Sequence, residues 1–215
     1  MKIGILWDLD GTLLDTLGDL TDASNYALAQ FGLPPRSEAE IRGFVGNGAK
    51  RQITLAMGAE PDDPRVDGVL AVYKPYYNDH CQIRTAPYAG VMDALALLAD
   101  FPMAVVSNKP HAAVKALAEQ YFPGVYARGE QEGIPRKPAP DMILRTMEDL
   151  GVEKCIYVGD SEVDILTAKN AGMPCLSVLW GFRDREQLTE GTHFCETPAQ
   201  LPAMIRQMAA ALMEA

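Results

Sequence analysis

The sequence of 215 residues predicts an α/β fold in which a small helical bundle is inserted into a domain built on a parallel sheet. Short apolar runs alternate with segments of helical periodicity, which is typical of parallel strands joined by helices. One long stretch, between Asp15 and about Arg84, holds helical pattern and no convincing strand. The chain is therefore expected to cross between the two parts near residues 14–18 and 83–89.

Four apolar runs are predicted to be strands of the sheet. Each run is nearly continuous instead of alternating with polar residues, as expected for strands that helices cover on both faces. The predicted strands are 3–7, 103–106, 155–158 and 175–180. Helical spacing predicts helices near residues 91–98, 113–118, 143–150 and 201–212.

The inserted stretch is predicted to hold four helices. Apolar residues recur along one face of residues 17–31, and a capping box over Ser37–Glu40 begins a second helix. A third helix is expected over residues 48–57. A fourth is expected over residues 65–79, where Pro75 predicts a kink or an early stop.

The composition argues against some classes of function. Lys and Arg number 19 against 29 Asp and Glu, and the resulting net charge of −10 disfavours binding to nucleic acids. No apolar run approaches the roughly 18 residues of a membrane span, and the amino-terminal run is too short for a secretory signal. We expect a soluble, cytoplasmic protein that binds neither nucleic acid nor membrane.

Polar side chains follow the predicted strands at the edge of the sheet where such folds bind ligands. Asp8 and Asp10 follow the first strand, Ser107 follows the second, and Asp160 follows the third. Lys137 lies in a loop that precedes a predicted helix. The topology is therefore expected to bring carboxylates, a hydroxyl and an ammonium group together.

Taken singly, these residues have plainer interpretations. An acid after a strand, such as Asp160, is most often a helix N-cap, and Lys109 or Lys137 alone would be a solvated surface charge. Together, carboxylates crowded at one edge repel each other unless a divalent cation or ammonium groups neutralise them. Oxygen ligands without His or Cys suit Mg²⁺, which usually keeps waters and engages substrate phosphate.

Such a cluster predicts phosphoryl transfer. A carboxylate beside Mg²⁺ can attack phosphorus and become an acyl phosphate. A second acid two residues later can protonate the departing oxygen and then take a proton from the attacking water. Ser107 and Lys137 would hold the transferring oxygens, where negative charge develops.

Four segments resemble the motifs of the haloacid dehalogenase-like hydrolase superfamily, in order and spacing along the whole chain. They are Asp8–Thr16 (DLDGTLLDT), Val106–Lys109 (VSNK), Lys137–Asp141 (KPAPD) and Gly159–Asp164 (GDSEVD). The resemblance implies a Rossmann-like parallel-sheet core domain of residues 1–14 and 84–215. It also implies an inserted α-helical cap domain of residues 15–83.

The resemblance implies a role for each residue of the predicted site. Asp8 would be the nucleophile and Asp10 the general acid and base, while Ser107 and Lys137 would bind phosphoryl oxygens. Mg²⁺ would be held by the Asp8 carboxylate, the main-chain carbonyl of Asp10 and the Asp160 carboxylate.

The role of Asp164 is left open between a direct metal ligand and a partner of metal-bound waters or of Lys137. The second role is preferred.

The segment Gly46–Lys50 (GNGAK) resembles the phosphoglycolate phosphatase branch of the superfamily. Glycines and an amide ahead of a helix can present main-chain N–H groups, and Lys50 a cation, to a small anionic substrate. A plain loop and helix start is the alternative. The candidates for substrate binding are Thr12, Asn47, Gly48, Lys50, Ser107, Asn108 and Lys137.

These features predict a Mg²⁺-dependent phosphatase that hydrolyses a small, phosphoglycolate-like phosphomonoester through an aspartyl phosphate. A pyrophosphatase and a sugar-phosphate phosphatase or phosphomutase are the alternatives within the superfamily. A phospho-acceptor signalling module of the receiver type is the alternative from another class. The expected partner is a small phosphorylated metabolite, and the chain is expected to be a monomer or a homodimer.

Overall fold

The computed structural model describes residues 2–214, and six parallel strands in the order β5-β4-β1-β6-β7-β8 form its central sheet. A separate pair, β2 and β3, is antiparallel. The strands are β1 (Ile3–Trp7), β2 (Leu14–Asp15), β3 (Ala86–Pro87), β4 (Met103–Pro110), β5 (Tyr126–Glu130), β6 (Lys154–Gly159), β7 (Cys175–Val178) and β8 (His193–Cys195). The α/β fold class predicted from the sequence is confirmed.

Helices lie between the strands, as the alternating pattern predicts. They are α1 (Leu17–Gln30), α2 (Glu38–Phe44), α3 (Gly48–Met57), α4 (Arg65–His80), α5 (Val91–Ala96), α6 (His111–Tyr121), α7 (Asp141–Leu150), α8 (Glu162–Asn170) and α9 (Leu201–Glu214). Successive side chains of β1 point to opposite faces of the sheet. Ile5 and Trp7 pack into one cluster of buried apolar residues, and Leu6 packs into a second cluster. Both faces of the sheet are therefore covered, which is why its strands are continuously apolar.

The four predicted strands are present in the central sheet, and its other two strands were not predicted. Strand β4 continues beyond residue 106 because Pro110 still pairs with Glu130 of β5, so Ser107 lies on the strand and not after it. Strand β7 ends at Val178. Strands β5 and β8 lie at the two edges of the sheet. The sequence of β5, YARGE, is too polar to read as an apolar run.

The inserted segment holds four helices, α1 to α4, as predicted. Helix α2 begins with the expected capping box, in which the Ser37 side chain accepts a hydrogen bond from the Glu40 amide. Helix α3 has the predicted bounds. Helix α4 continues past Pro75 to His80, so this proline does not stop the helix early.

The chain leaves the core and returns to it side by side. Strand β2 pairs with β3, Leu14 opposite Pro87. Just beyond this pair, the buried carboxylate of Asp19 on α1 accepts hydrogen bonds from the main-chain N–H groups of Ile83, Arg84 and Thr85. These contacts fix the outgoing and the returning chain to each other.

A search of the helices in residues 2–214 finds none that is both long enough and apolar enough to cross a membrane.

Candidate active site

The residues expected to carry chemistry meet at the carboxyl end of β1. This strand is central, with β4 on one side and β6 on the other, and ligands bind where the strand order reverses in this way. Asp8 follows β1, Asp160 follows β6, and Ser107 lies near the end of β4. Lys137 comes from the loop between β5 and α7.

These side chains line a cavity of about 40 Å³, to which the core and the helical insert both contribute. A cavity of this volume holds only a few non-hydrogen atoms. Its lining includes Asp8, Asp10, Ser107, Asn108, Lys109, Lys137 and Asp160 from the core, and Gly46, Gly48, Gln52, Tyr73 and Tyr77 from the insert.

Lys137 lies between two buried carboxylates. Its Nζ is 2.8 Å from Asp164 Oδ1 and 2.9 Å from Asp8 Oδ1, and it donates to the Tyr157 hydroxyl at 2.8 Å. Burial alone would lower the pKa of Lys137, but the charges of Asp164 and Asp8 outweigh burial and raise the pKa well above its ordinary value. Lys137 is therefore a permanent cation in the cavity.

Asp8 is buried and incompletely paired. Burial is the main reason that its pKa is raised to about 7, while the Lys137 charge opposes this rise and the Asp164 and Asp10 charges add to it. Asp8 Oδ1 forms an ion pair with Lys137 at 2.9 Å and accepts no hydrogen bond from any other group within residues 2–214. A carboxylate oxygen has two lone pairs, so this oxygen can still bind a ligand.

Three buried carboxylates lie close enough together to share a cation. Asp8, Asp160 and Asp164 each offer an oxygen, and these oxygens all lie within 4.8 Å of one another. Burial, and then the charges of Asp164 and Asp8, raise the pKa of Asp160 well above its ordinary value. Asp160 is oriented by a 2.7 Å hydrogen bond from the Phe182 main-chain N–H and a 3.3 Å bond from the Thr12 hydroxyl.

Two glycines leave room for the Asp160 carboxylate. A Cβ atom on Gly11, whose φ is +82°, or on Gly181 would collide with the Asp160 side chain. The positive φ at Gly11 is itself unfavourable for other residues. The loops after β1 and β7 can therefore close on this carboxylate only with glycine at both positions.

Asp164 is engaged on both oxygens by the protein. Its Oδ2 accepts hydrogen bonds from the Ser161 N–H at 3.0 Å and from the Ser161 hydroxyl at 2.6 Å, and its Oδ1 accepts one from Lys137. Its side chain is fully buried. This arrangement supports the preferred interpretation of Asp164 as a partner of Lys137.

Asp10 is held by two side chains. Its Oδ1 accepts a hydrogen bond of 2.6 Å from the Thr16 hydroxyl and one of 2.7 Å from Lys109 Nζ. The Lys109 ammonium also lies 4.6 Å from the centre of the Tyr77 ring, a cation–π distance. Asp8 and Asp10 therefore place two carboxylates in the cavity. Lys137 lies beside the first and Lys109 beside the second.

The loop between α2 and α3 is fastened to the core by Asn108 and Arg183. The Asn108 amide donates to the Gly46 carbonyl at 3.0 Å and to the Lys137 carbonyl at 2.9 Å, and its oxygen accepts from the Lys137 N–H. Arg183 donates to the Arg42 and Val45 carbonyls at the end of α2. Asn108, a candidate for substrate binding, thus directs its polar atoms at the protein.

Some of the expected substrate-binding residues do not reach the cavity. Lys50 is half exposed and pairs with Asp67 at 2.7 Å on the surface of the insert, and neither Lys50 nor Asn47 is among the lining residues. Thr12 turns its hydroxyl to Asp160 and is likewise absent from the lining. Gly48 does line the cavity. The positively charged group expected from the insert is therefore not supplied by Lys50.

Several residues that line the cavity have no role in the prediction from sequence, among them Lys109, Tyr77 and Arg183. Lys109 follows Ser107 by two residues, so the strand period of two would have turned both to the same side. Arg183 follows β7, so the rule that strand ends carry the ligand site also applied to it. For Tyr77 no signal existed, because a tyrosine on an apolar helix face reads as core.

The family of the chain follows from comparison with known proteins. The sequence model of the haloacid dehalogenase-like hydrolases matches residues 5–178. The chain belongs to this family. The superfamily resemblance read from the four motifs is thus confirmed.

Named phosphatases resemble the chain over most of its length. A phosphoglycolate phosphatase of Mesorhizobium japonicum is 36% identical over 193 residues, which cover 84% of each protein. An N-acetylmuramic acid 6-phosphate phosphatase of Pseudomonas aeruginosa is 30% identical over 187 residues, 83% of this chain and 82% of that protein.

A solved structure from Lactobacillus delbrueckii subsp. bulgaricus, provisionally described as a phosphoglycolate phosphatase, is 40% identical. The structural match covers 94% of this chain and 97% of the solved chain, with a TM-score of 0.86. With these relatives, the family membership identifies the protein as an enzyme of the phosphatase class.

Proposed function

We propose that this phosphatase hydrolyses a small phosphomonoester with the help of Mg²⁺, through a covalent phosphate on Asp8. The residues with catalytic roles are Asp8, Asp10, Ser107 and Lys137. Residues 15–83 would act as a cap domain over the core of residues 1–14 and 84–215. A cap over the cavity would exclude water that competes with the reaction.

The observation that carries the proposal is the state of Asp8. Its buried Oδ1 forms an ion pair with Lys137 Nζ at 2.9 Å and accepts no hydrogen bond from any other group among the described residues, 2–214. A nucleophile needs a free lone pair, and a neighbouring positive charge favours its ionised form. Asp8 meets both conditions in a cavity that opens from the end of β1.

The donor set fits Mg²⁺. It consists of carboxylate oxygens without His or Cys, and hard oxygen ligands of this kind suit Mg²⁺. The Asp8 and Asp160 carboxylates and the main-chain carbonyl of Asp10 would hold the ion. When bound, Mg²⁺ supplies positive charge that offsets the crowded carboxylates and the phosphate oxygens. Asp164, with both oxygens bonded to Lys137 and Ser161, would remain outside the ligand set.

Asp10 would move the proton. In the first half-reaction Asp8 Oδ1 attacks phosphorus, the bond from phosphorus to the ester oxygen breaks, and Asp10 gives its proton to that oxygen. In the second half-reaction, water attacks the phosphorus of the aspartyl phosphate and Asp10 takes a proton from that water. The bond from phosphorus to Asp8 breaks, so Asp8 is restored and phosphate is released. Thr16 and Lys109 fix the Asp10 carboxylate for both steps.

Ser107 and Lys137 would hold the phosphoryl oxygens. Ser107 is buried and lines the cavity, and its hydroxyl receives only a weak 3.3 Å hydrogen bond from the Lys109 N–H, so its own proton is available. Lys137 stays charged for the reason given above. Donors fixed in a cavity before the reaction stabilise negative charge in the transition state more than mobile water does.

The size of the cavity favours a small substrate. With a volume of about 40 Å³, the cavity favours a phosphomonoester with a short leaving group over a nucleotide or a large sugar. Phosphoglycolate is the first candidate, because it is small and gives its name to several relatives. Substrate contacts would come from Ser107, Lys137 and Gly48, and not from the surface residue Lys50.

The test is phosphate release from a panel of small phosphomonoesters, with Mg²⁺ and after removal of divalent cations by EDTA. We expect turnover by the wild type that EDTA abolishes and Mg²⁺ restores. Asp8→Asn should be inactive, whereas Asp93→Asn, a matched change of an exposed carboxylate on α5, should behave as the wild type. Turnover without divalent cations, or an active Asp8→Asn variant, would contradict the proposal.

A further inference from the structure

Besides Lys137, a second buried lysine lines the cavity. Lys109 is 5% exposed, and Asp10 is the one hydrogen-bond acceptor of its Nζ among residues 2–214, at 2.7 Å. An ammonium group has three N–H donors, so two of them have no acceptor. A buried cation with unused donors is unfavourable unless a ligand completes its contacts.

Tyr77 offers an unused hydroxyl beside this lysine. Its side chain is 1% exposed and lines the same cavity, its ring lies 4.6 Å from Lys109 Nζ, and its hydroxyl has no hydrogen-bond partner within residues 2–214. A buried tyrosine hydroxyl normally has a partner. Two independent groups, one on β4 and one on α4, therefore lack an acceptor at the same place.

The other buried cations of the cavity are already engaged. Lys137 contacts Asp8, Asp164 and Tyr157. The guanidinium of Arg183 donates through all three nitrogens, to Glu162 and to two carbonyls of the insert. Among the cations that line the cavity within residues 2–214, Lys109 makes the fewest hydrogen bonds through its charged group, a single one to Asp10.

We propose that Lys109 and Tyr77 form a subsite for a carboxylate carried by the leaving group of the ester. The inference rests on the proposed function, since it assumes that Asp10 faces the ester oxygen. A carboxylate accepts several hydrogen bonds and brings a negative charge, so it matches both an ammonium group and a phenol.

The position of Lys109 limits the length of the leaving group. Asp10 must come within about 2.6–3.2 Å of the ester oxygen to pass it a proton, and Lys109 Nζ is bonded directly to Asp10. A carboxylate only about two or three bonds from that oxygen can therefore reach Lys109. Together with the small cavity, this favours the phosphate ester of a short hydroxy acid.

The test compares phosphoglycolate with its amide, in which a neutral carboxamide of similar shape replaces the carboxylate. The wild type should prefer phosphoglycolate in kcat/KM, and Lys109→Met should reduce that preference about 10- to 100-fold, the effect of a hydrogen bond to a charged group. Lys169→Met, which removes an exposed lysine paired with Glu190, is the matched control and should keep the preference.

Tyr77→Phe gives a second measurement that removes one oxygen and no charge. It should reduce the preference about 3- to 10-fold. In an Asp8→Asn background, which blocks turnover, calorimetry should show that Lys109→Met weakens binding of phosphoglycolate more than binding of inorganic phosphate.

Three outcomes would overturn the subsite. Lys109→Met and Tyr77→Phe could slow both esters equally, which would make Lys109 a positioning residue for Asp10 only. The wild type could hydrolyse the amide as fast as phosphoglycolate, or hydrolyse pyrophosphate faster. Failure of the proposed function looks different: the wild type would release no phosphate from either ester, nor from para-nitrophenyl phosphate, with Mg²⁺ present.

Discussion

The guanidinium of Arg183 donates a hydrogen bond of 2.7 Å to the main-chain carbonyl of Val45. Arg183 belongs to the loop after β7, and Val45 follows α2 of the helical insert. The neighbouring main-chain N–H, on Phe182, donates to the Asp160 carboxylate at 2.7 Å. One short loop thus contacts both the acidic cluster and the insert that covers it.

Arg183→Leu should loosen the insert without altering Asp8 or Asp10. Loss of three hydrogen bonds from a charged donor, two to carbonyls of the insert and one to Glu162, should lower the free energy of unfolding by about 1–3 kcal/mol. Hydrogen exchange should accelerate over residues 38–48, and KM should rise more than kcat falls. Arg145→Leu, an exposed arginine of α7, is the control. Unchanged exchange over this segment would show that Arg183 does not hold the insert.

Asp10→Asn should lower kcat about 10²- to 10⁴-fold, the usual effect of losing a general acid and base. In kcat/KM, which reports phosphoryl transfer to Asp8 and not the later hydrolysis step, the loss should be smaller with para-nitrophenyl phosphate, whose leaving oxygen needs no proton. Steady-state kinetics with an alkyl and an aryl ester measure the difference. Equal losses of kcat/KM on both esters would remove Asp10 from the role of general acid.

In the metal-free protein, Asp8 should make stability depend on pH. Its pKa is raised from 3.8 to about 7 on folding, so between these values the native state holds a proton that the unfolded state has lost. The stabilising effect of that proton is complete below pH 4 and is lost as the pH rises toward 7.

Asp8→Asn should therefore raise the Tm of the metal-free protein at pH 8 by several degrees and change it little at pH 4. Thermal denaturation in EDTA at several pH values gives the comparison. A lower Tm for the variant at pH 8 would mean that the Lys137 charge outweighs the burial of Asp8.

Mg²⁺ should raise the Tm at pH 8, because a ligand that binds the native state alone stabilises it by an amount that grows with the logarithm of its concentration relative to Kd. Asp160→Asn should remove most of this rise, and Asp93→Asn should retain it. If Asp160→Asn responded to Mg²⁺ like the wild type, the acidic cluster would not be the metal site.

Much of the fold was predictable because its strands are buried on both faces. Strand β1 and the central parts of β4, β6 and β7 read directly from their apolar runs. Strands β5 and β8 did not, because edge strands have a neighbour on one side only and tolerate residues such as Arg128 and Gly129. The end of β4, which is not an edge strand, was missed because Ser107 to Lys109 are polar. They are nevertheless buried at the carboxyl end of the strand.

The candidate site was likewise predictable only in part. The positions of Asp8, Asp160 and Ser107 follow from the strands that precede them, and sequence order alone brings them together. The contribution of the insert depends on how α3 and α4 pack against the core, which no local pattern encodes. The pattern around Lys50 predicts a substrate-binding cation, but Lys50 pairs with Asp67 on the surface, whereas Lys109, to which no role was assigned from the sequence, lines the cavity.

The central claim is that phosphate is transferred to Asp8. The direct measurement is mass spectrometry of the Asp10→Asn variant, acid-quenched during turnover with Mg²⁺, because this variant should hydrolyse the covalent intermediate slowly. The account predicts a mass increase of one phosphoryl group on the peptide that contains Asp8, and none in the Asp8→Asn, Asp10→Asn double variant. Phosphate release without any such adduct, or an adduct that persists without Asp8, would contradict it.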